Sequence, residues 1–497
     1  MSNTSGPLQI NEGTLSILER RNRNSTQPIN KLPDDLLARI FLVTTGVSIR
    51  PRGAYRFTLF PEVAIQVCSR WMKVALASPT LWTHIHIREH FDDDDAALWI
   101  SRAGKDTLLD IEIDILEPYC GVAFFDITNW GEQELHIARI FKYFCSLKAG
   151  PQRWRSISLS VLQPEPLYKF IQLLNKQPAP NLRHFYVCSE PDSNDDEFDE
   201  ERPLTNAHYR KGYSLSEHAA PNLRHVEFVH VAWKYVFDRP KSLLSGLTRL
   251  QLSAGHVLAS LPKIQQLLLA NPNLELLQIS AGYAGDYEFD RLPDDQRPSS
   301  VHLSSLQSLL LEGGDNISLV WDILSIIDAP SLRRLSLANN GIDDDDIFAT
   351  NIFDYIITGQ LPGGTNSTIT SSNGPLFPLL QELDIEGLPF KDQKVVDLLA
   401  TLPRVTHLSI SCYQAKASIG RAPHVLPHLQ VLSLKCWGNH QHYQEVGDIL
   451  TQRVLDGSPI CVVRVPSNPQ PEPGFEEQFP GTVLRIRNDC DIFVNSS

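Results

Sequence analysis

The residues best suited to metal chemistry are a group of three histidines. His84, His86 and His90 lie two or four positions apart, and alternate residues of a strand share one face. Histidine nitrogens are common zinc ligands, but a zinc site needs three or four ligands in a fixed geometry. No cysteine or patterned carboxylate completes the group, so we expect ordinary surface or core histidines and no metal.

Acidic runs are the other possible ligand clusters. Asp92–Asp95 and Asp343–Asp346 offer carboxylate oxygens, but neither run has the glycine that an EF-hand loop carries at its sixth position. His440 and His442 with Glu445 are equally incomplete. We interpret the acidic runs as solvated loop charges, with recruitment of a basic partner as the alternative.

No catalytic motif is present in the sequence. It has no phosphate-binding Gly-x-x-x-x-Gly-Lys-Ser/Thr, no Gly-x-Ser-x-Gly and no His-Glu-x-x-His, and its 8 cysteines contain no Cys-x-x-Cys pair. We therefore expect a protein that is not an enzyme and that uses no cofactor. No secretory signal and no membrane-length apolar segment are visible, which predicts an intracellular protein, cytoplasmic or nuclear, without a membrane partner.

The charge balance restricts the partners. The 497 residues include 44 Lys and Arg against 58 Asp and Glu, a net charge of −14, which argues against nucleic-acid binding. The first 90 residues run the other way, with 11 basic and 6 acidic residues. A basic head on an acidic body predicts two surfaces with different partners.

An internal repeat dominates the rest of the chain. The pattern Leu-x-x-Leu-x-Leu, with other apolar residues allowed, recurs at intervals that are mostly in or near the 20–29 residues of leucine-rich repeats. The units begin at Trp82, Leu108, Trp154, Leu182, Leu223, Leu247, Leu274, Leu306, Leu332, Leu380, Val405 and Leu429. Chance recurrence in an ordinary α/β protein is the alternative.

The repeat pattern predicts strands that alternate with helices. Alternate leucines bury one face of a short strand, and apolar residues three or four apart predict helices over Glu165–Lys176, Ser318–Ile327 and Asp392–Thr401. The units resemble the leucine-rich repeat family, and Leu332–Ile342 also carries its asparagine, Asn340. We predict an irregular α/β leucine-rich-repeat solenoid over residues 91–497, with loop inserts near 189–220 and 359–376.

Residues 31–90 differ from the repeats. Acidic residues follow Pro33 at a predicted helix start, where they suit the free N–H groups and the helix dipole. The apolar residues from there to Phe41 form one stripe. A second helix is predicted over Glu62–Ala77, and Pro79 cannot continue it. By themselves these features describe a helical hairpin that buries its own core.

Together the two segments resemble the F-box. The connection between them is long, as in F-box-like proteins of mushroom-forming fungi, where a helix such as Leu15–Asn22 in the extension 1–30 also occurs. The resemblance implies a small all-α F-box head over 31–90. The matching residues are Leu32, Pro33, Leu36, Leu37, Ile40, Phe41, Val67, Cys68, Trp71, Val74, Pro79, Leu81 and Trp82.

The resemblance also implies a binding function. F-box domains dock onto the Skp-type adaptor of a cullin–RING ubiquitin ligase, and the repeats that follow them select a protein substrate. The matching residues would then be the adaptor-binding residues of a substrate receptor in ubiquitin-dependent degradation. The alternative is a non-catalytic leucine-rich-repeat scaffold whose head only caps the N-terminal end of the repeats.

The same repeat pattern indicates where a client protein would bind. Residues that alternate with the buried leucines should line the concave face of the solenoid. Three acids at two-residue spacing stand out there, because they repel one another unless solvated or paired; a wet strand face and a patch for a basic client are both open. The predicted substrate-binding residues are Gln251, Gln278, Arg334, Glu382, Asp384, Glu386, His407 and Lys435.

Overall fold

The computed structural model describes residues 17–46, 60–88, 93–115, 130–161, 164–189, 220–231, 244–253, 260–281, 298–314, 316–339, 346–361, 374–388, 392–422, 424–435, 440–466 and 482–487. The chain forms two compact units, one made of Met1–Asp114 with Arg139–Ile157 and the other of Ile115–Ala138 with Ser158–Ser497. The domain boundaries proposed from the sequence, at residues 30 and 90, remain predictions.

Helices occur in the head and between the strands of both units. Those of the first 114 residues are α1 (Ile17–Thr26), α2 (Asp34–Gly46), α3 (Phe60–Val67), α4 (Ser69–Leu76) and α5 (Asp93–Ala103). The later helices are α6 (Trp130–Ser146), α7 (Pro164–Lys176), α8 (Leu261–Leu269), α9 (Ile317–Ser325), α10 (Asp346–Thr358), α11 (Asp392–Ala400), α12 (Cys412–Ala415) and α13 (His440–Leu455). Single turns of 3₁₀ helix form at Pro28–Lys31, Pro79–Trp82 and Pro151–Arg153, and a π-helical turn at Lys416–Gly420.

The strands are short and evenly distributed. The first eight are β1 (His84–Arg88), β2 (Leu109–Ile115), β3 (Trp154–Val161), β4 (His184–Ser189), β5 (His225–Val229), β6 (Arg249–Ser253), β7 (Leu276–Ser280) and β8 (Val301–His302). The others are β9 (Ser308–Glu312), β10 (Ile327–Asp328), β11 (Arg334–Ala338), β12 (Glu382–Glu386), β13 (His407–Ile410), β14 (Val431–Leu434), β15 (Val462–Pro466) and β16 (Val483–Arg487).

The second unit contains a large parallel sheet in which chain order is also spatial order. Its strands run β4-β5-β6-β7-β9-β11-β12-β13-β14-β15-β16, and each pairs in parallel with the next. Strands β8 and β10 form a separate parallel pair. In the first unit, β1 pairs in parallel with β2. The α/β repeat fold expected from the sequence is confirmed at this level.

Equivalent leucines of successive repeats stack in register, which explains why this sequence forms this sheet. Leu309 of β9 lies opposite Leu335 of β11, which in turn lies opposite Leu383 of β12, and all three are fully or almost fully buried. A single strand could not remove such side chains from water, whereas stacking the repeats buries them in one continuous core.

A recurring hydrogen-bond pattern joins each repeat to the next. The carbonyl of Gln307 accepts from the backbone N–H groups of Arg333 and Arg334, both at 2.9 Å. One repeat later, the carbonyl of Arg333 accepts two hydrogen bonds in the same way. Within the repeat, the N–H of Leu332 bonds back to the carbonyl of Ala329 at 3.1 Å and turns the chain into its strand. These hydrogen bonds satisfy backbone N–H and C=O groups at the points where the strands begin.

The structure agrees with most of the element predictions and corrects one. Each of the twelve repeat units carries a strand, and the three predicted helices appear as α7, α9 and α11. The single helix predicted over Glu62–Ala77 is wrong, because Cys68 has extended backbone angles (φ −161°, ψ 166°) and separates α3 from α4. Asn340 and most of the two inserts lie outside the described residues.

Candidate functional site

Helix α2 presents different apolar residues to its two sides. Leu37 and Phe41 are fully buried, whereas Leu36 is 42% exposed and Ile40 is 40% exposed. The two buried residues are four positions apart, and so are the two exposed residues, so each pair lies on one helix face. The buried pair holds the head together, and the exposed pair is open to a partner.

The two helices that pack on α2 repeat this pattern. Val63 and Val67 of α3 are both exposed, while Ala64 between them is fully buried. On α4, Met72 and Leu76 are exposed, and the intervening Val74 and Ala75 are buried. Each of the three helices therefore turns one apolar pair, spaced by four residues, toward solvent.

An arginine fixes the segment that leads into α2. The guanidinium of Arg70 on α4 bonds Asp34 Oδ1 twice, at 2.9 Å from Nε and 2.7 Å from Nη2, and it also donates to the carbonyls of Asn30 and Leu32. Beside it, Trp71 donates from Nε1 to Asn30 Oδ1 at 2.7 Å. The position of Pro33 is thus set by contacts from the second half of the head.

The last residues of the head pack against the first α/β elements of the same unit. Trp82 is fully buried, and its Nε1 donates to the carbonyl of Ala75 at 2.8 Å. Its ring meets Trp99 of α5 edge-on at 5.0 Å, and the Arg102 guanidinium lies 4.3 Å from its centroid. Trp82 therefore forms part of the core of the first unit.

The structure sorts the thirteen predicted adaptor-binding residues by exposure. The exposed ones are Pro33, Leu36, Ile40, Val67 and Pro79; the buried ones are Leu37, Phe41, Val74, Leu81 and Trp82; Leu32, Cys68 and Trp71 are intermediate. All thirteen belong to the first unit. Their role in adaptor binding remains a prediction.

Seven of the predicted substrate-binding residues lie on strands of the second unit, at positions that alternate with buried ones, and the eighth, Lys435, directly follows β14. We call these eight residues the polar strand face: Gln251, Gln278, Arg334, Glu382, Asp384, Glu386, His407 and Lys435. The register brings neighbours together, since Gln251 lies opposite Gln278, and Glu382 lies opposite both Arg334 and His407. Their role in client binding also remains a prediction.

The three acids of β12 are ion-paired. Arg334 Nε lies 2.6 Å from Glu382 Oε2, and Lys435 Nζ lies 2.6 Å from Asp384 Oδ1 and also contacts Glu386. Glu382 thus pairs with an arginine of the adjacent strand β11, whereas Asp384 and Glu386 share Lys435 from the far side of β13. Because the strand positions two apart share a face, this pairing is what lets three acids coexist there.

Histidines elsewhere on the strands are held neutral by their surroundings. Burial lowers the pKa of His225 to about 4, with smaller contributions from His184 and Arg249. Burial also lowers the pKa of His407; Glu382 acts against this, and Arg464 adds to it.

The sequence analysis did not single out His184, His225, Arg249 or Arg464. The first three occupy the position two residues after the start of a repeat unit, so the same alternation rule finds them. Arg464 belongs to a repeat that was missed, although Ile460, Val463 and Val465 have the repeat spacing.

Two of the three histidines, His84 and His86 on β1, lie near the same carboxylate. His84 Nε2 lies 2.9 Å from Glu112 Oε2, His86 Nε2 lies 3.8 Å from Glu112 Oε1, and His90 lies outside the described residues. Across the described ranges, no group of three or more His, Cys, Asp or Glu residues is arranged to hold a metal ion. Within those ranges, no helix is long and apolar enough to cross a membrane.

Comparison with known proteins finds solved structures that are distantly similar to this chain. No protein-family model matches the chain, and no curated protein matches it. A crystal structure of a Bacteroides fragilis protein is similar at TM-score 0.34 and 14% identity, covering 69% of this chain and 84% of that chain. The crystal structure of the Rad7 and Elc1 complex in yeast is similar at TM-score 0.38 and 13% identity, covering 95% of this chain and 98% of that chain. At TM-scores this low, neither likeness carries an argument about function.

Proposed function

We propose that this protein is a non-catalytic substrate receptor of a Skp–cullin–F-box type ubiquitin ligase. Helices α2, α3 and α4 form the F-box head and bind a Skp-type adaptor, and the repeats of the second unit bind a protein client. The proposal rests on the F-box resemblance of residues 32–82 and on one structural observation, the apolar pairs that these helices expose.

The exposed pairs argue for a partner because a hairpin folded only for its own sake turns apolar residues inward. Here Leu36, Ile40, Val67 and Met72 stay open to solvent while a complete set of other apolar residues fills the interior. Apolar groups of this kind become favourable once a partner removes them from water.

Direct binding to a purified Skp-type adaptor tests the first half of the proposal. In the full-length chain, the double variant Ile40→Asp/Val67→Asp places charges on the exposed pairs without altering a buried residue. We expect adaptor affinity to fall by about 30-fold or more, which corresponds to about 2 kcal/mol. Thermal melting and circular dichroism should match the unmodified protein.

A matched control separates this effect from a general effect of charge. Leu269→Asp changes a leucine of α8 that is even more open to solvent than Ile40 and Val67 and that belongs to the second unit. It should leave adaptor binding unchanged. A folded, unmodified protein that does not bind the adaptor, or a double variant that binds as well as the unmodified chain, would refute the receptor proposal.

The alternative function, a repeat scaffold capped by its head, is favoured by a separate observation. Trp82 is enclosed between Ala75 of the head and Trp99 of α5, with Arg102 against its ring, so the head covers apolar surface of its own unit. Covering the end of a repeat array is also the work of a cap. Absence of adaptor binding in the experiment above would leave this scaffold function as the better account.

A further inference from the structure

Each acid of β12 on the polar strand face already has an ion-pair partner. Arg334 and Lys435 supply the positive groups for all three acids, so a basic client segment would have to break an internal ion pair to reach a carboxylate. Lys435 is the stronger obstacle, because only 9% of its side chain is exposed and it serves Asp384 and Glu386 at once. These acids are therefore poorly placed to attract a cation.

Strand β15, three strands along the sheet from β12, carries an arginine that has no ion-pair partner among the described residues. Arg464 of β15 lies between the fully buried Val463 and Val465, so it belongs to the polar side of the sheet, and it is partly exposed. In the part of the chain that the structure describes, Arg464 has no hydrogen bond and no ion pair.

The register explains why the acids of β12 do not neutralise Arg464. The row of opposing residues runs from Asp384 through Ser409 and Ser433 to Arg464, so three strand spacings separate the acid from the arginine. At roughly 4.8 Å per strand, the two backbones are about 14 Å apart. Lys435, which is nearer, takes the carboxylate instead.

The far side of Arg464 adds no acid either. The register places Arg485 of β16 directly opposite Arg464, and Arg487 follows two residues later. Neither β15 nor β16 contains an acidic residue. Within the described residues of β15 and β16 the charged residues are therefore all basic, in a protein whose net charge is −14.

We propose that β14, β15 and β16 bind an acidic segment of the client, an extended stretch whose Asp or Glu carboxylates pair with Arg464. The inference rests on the proposed receptor function and names the chemistry of the client. Charge complementarity carries it: the acids of β12 are already ion-paired, whereas Arg464, whose guanidinium can form two parallel bonds with a carboxylate, has no partner among the described residues.

Labelled synthetic peptides and the full-length protein provide the test, by fluorescence anisotropy. The probes are four 12-residue peptides in which alanine alternates with glutamate, glutamine, lysine or phosphoserine. We expect the glutamate peptide to bind and to weaken as salt rises, and the glutamine and lysine peptides not to bind. The net charge of the protein is negative, so nonspecific electrostatic attraction would favour the lysine peptide. Selective binding of the glutamate peptide would therefore indicate a specific site.

Two variants of equal charge localise the binding. Arg464→Gln should weaken the glutamate peptide at least tenfold, whereas Arg404→Gln, which removes an exposed arginine ahead of β13, should leave it unchanged. Equal losses in both variants, no binding of the glutamate peptide, or binding of the lysine peptide instead would overturn the inference. So would binding of the phosphoserine peptide alone, which would indicate a client that must first be modified.

Adaptor binding of the same samples separates this inference from the proposed function. Arg464→Gln should bind the Skp-type adaptor as the unmodified chain does. If the glutamate peptide binds through Arg464 while no adaptor binds, the acidic-segment site stands and the receptor proposal fails. If the adaptor binds and the glutamate peptide does not, the receptor proposal stands and the acidic-segment site fails.

Discussion

Lys435, the residue that follows β14, reaches past β13 to Asp384 of β12, with 2.6 Å between Nζ and Oδ1, and it contacts Glu386 of β12 as well. One nearly buried ammonium thus bridges two carboxylates of a strand that is not its neighbour. The contact ties three strands together and removes the repulsion that three acids on one face would otherwise create.

Replacing this lysine should destabilise the protein. Lys435→Met keeps most of the side-chain volume but leaves two carboxylates without their cation, and we expect the free energy of unfolding to fall by about 2 kcal/mol. Chemical denaturation measures the change. Lys416→Met is the control, because the Lys416–Glu445 pair has a lysine that is 53% exposed; its loss should cost under about 0.5 kcal/mol. Equal effects in the two variants would contradict a special role for Lys435.

Truncation of two adjacent residues of α2 should affect different properties, stability in one case and adaptor binding in the other. Phe41 is fully buried, with its ring 4.8 Å from that of Trp71, and Phe41→Ala should lower the free energy of unfolding by about 3 kcal/mol. Ile40→Ala changes an exposed side chain and should cost under about 1 kcal/mol while it weakens adaptor binding. Chemical denaturation of both variants measures the change in the free energy of unfolding. A stable Phe41→Ala protein would show that the head is packed differently.

A buried asparagine should matter more than an exposed one two residues away. Asn271 accepts from the N–H of Leu247 at 2.8 Å and donates to the carbonyls of Leu244 and Leu267 at 2.7 and 2.8 Å. Asn271→Ala leaves these backbone groups unsatisfied and should cost about 2 kcal/mol in unfolding free energy. Asn273→Ala, at an exposed position, should cost under about 0.5 kcal/mol. The prediction is wrong if thermal melting gives the two variants the same midpoint.

The stability of the protein should depend on pH through His225. In the folded chain its pKa is about 4, whereas an unfolded histidine titrates near its ordinary 6.5. Between these values only the unfolded chain takes up the proton, so the contribution is complete above pH 6.5 and is lost as the pH falls toward 4. Because the residue keeps some access to solvent, we expect about 1–2 kcal/mol, less than the full shift implies.

A substitution isolates that contribution. Unfolding free energies measured from pH 7.5 to 4.5 should fall more steeply for the unmodified protein than for His225→Gln, by the same 1–2 kcal/mol. His428→Gln, which changes an exposed histidine, should keep the slope of the unmodified protein. Parallel curves for all three proteins would contradict a buried, neutral His225.

The sequence alone determined the α/β repeat. The repeat follows from the spacing of apolar residues, as in Leu332, Leu335 and Leu337. These side chains lie on one strand face, which can be buried only when a neighbouring repeat stacks against it. The same spacing at Ile460, Val463 and Val465 also predicts β15, which the twelve predicted units do not include. The three helices predicted between strands appear within two residues of their predicted bounds, whereas the helix predicted over Glu62–Ala77 is broken at Cys68, where one extended residue interrupts a continuous apolar pattern.

Only the tertiary structure decided which residues of each site are buried and which charges are paired. Leu36 and Leu37 are the same amino acid side by side, and their exposure differs because the position of α3 and α4, not their own chemistry, determines which face of α2 is covered. The acids of β12 likewise read as an open anionic patch until Arg334 and Lys435, 48 and 49 residues away, are placed beside them. Apolar periodicity is a local property that sequence spacing records, whereas the pairing of charges across strands depends on register, which exists only once the repeats have stacked.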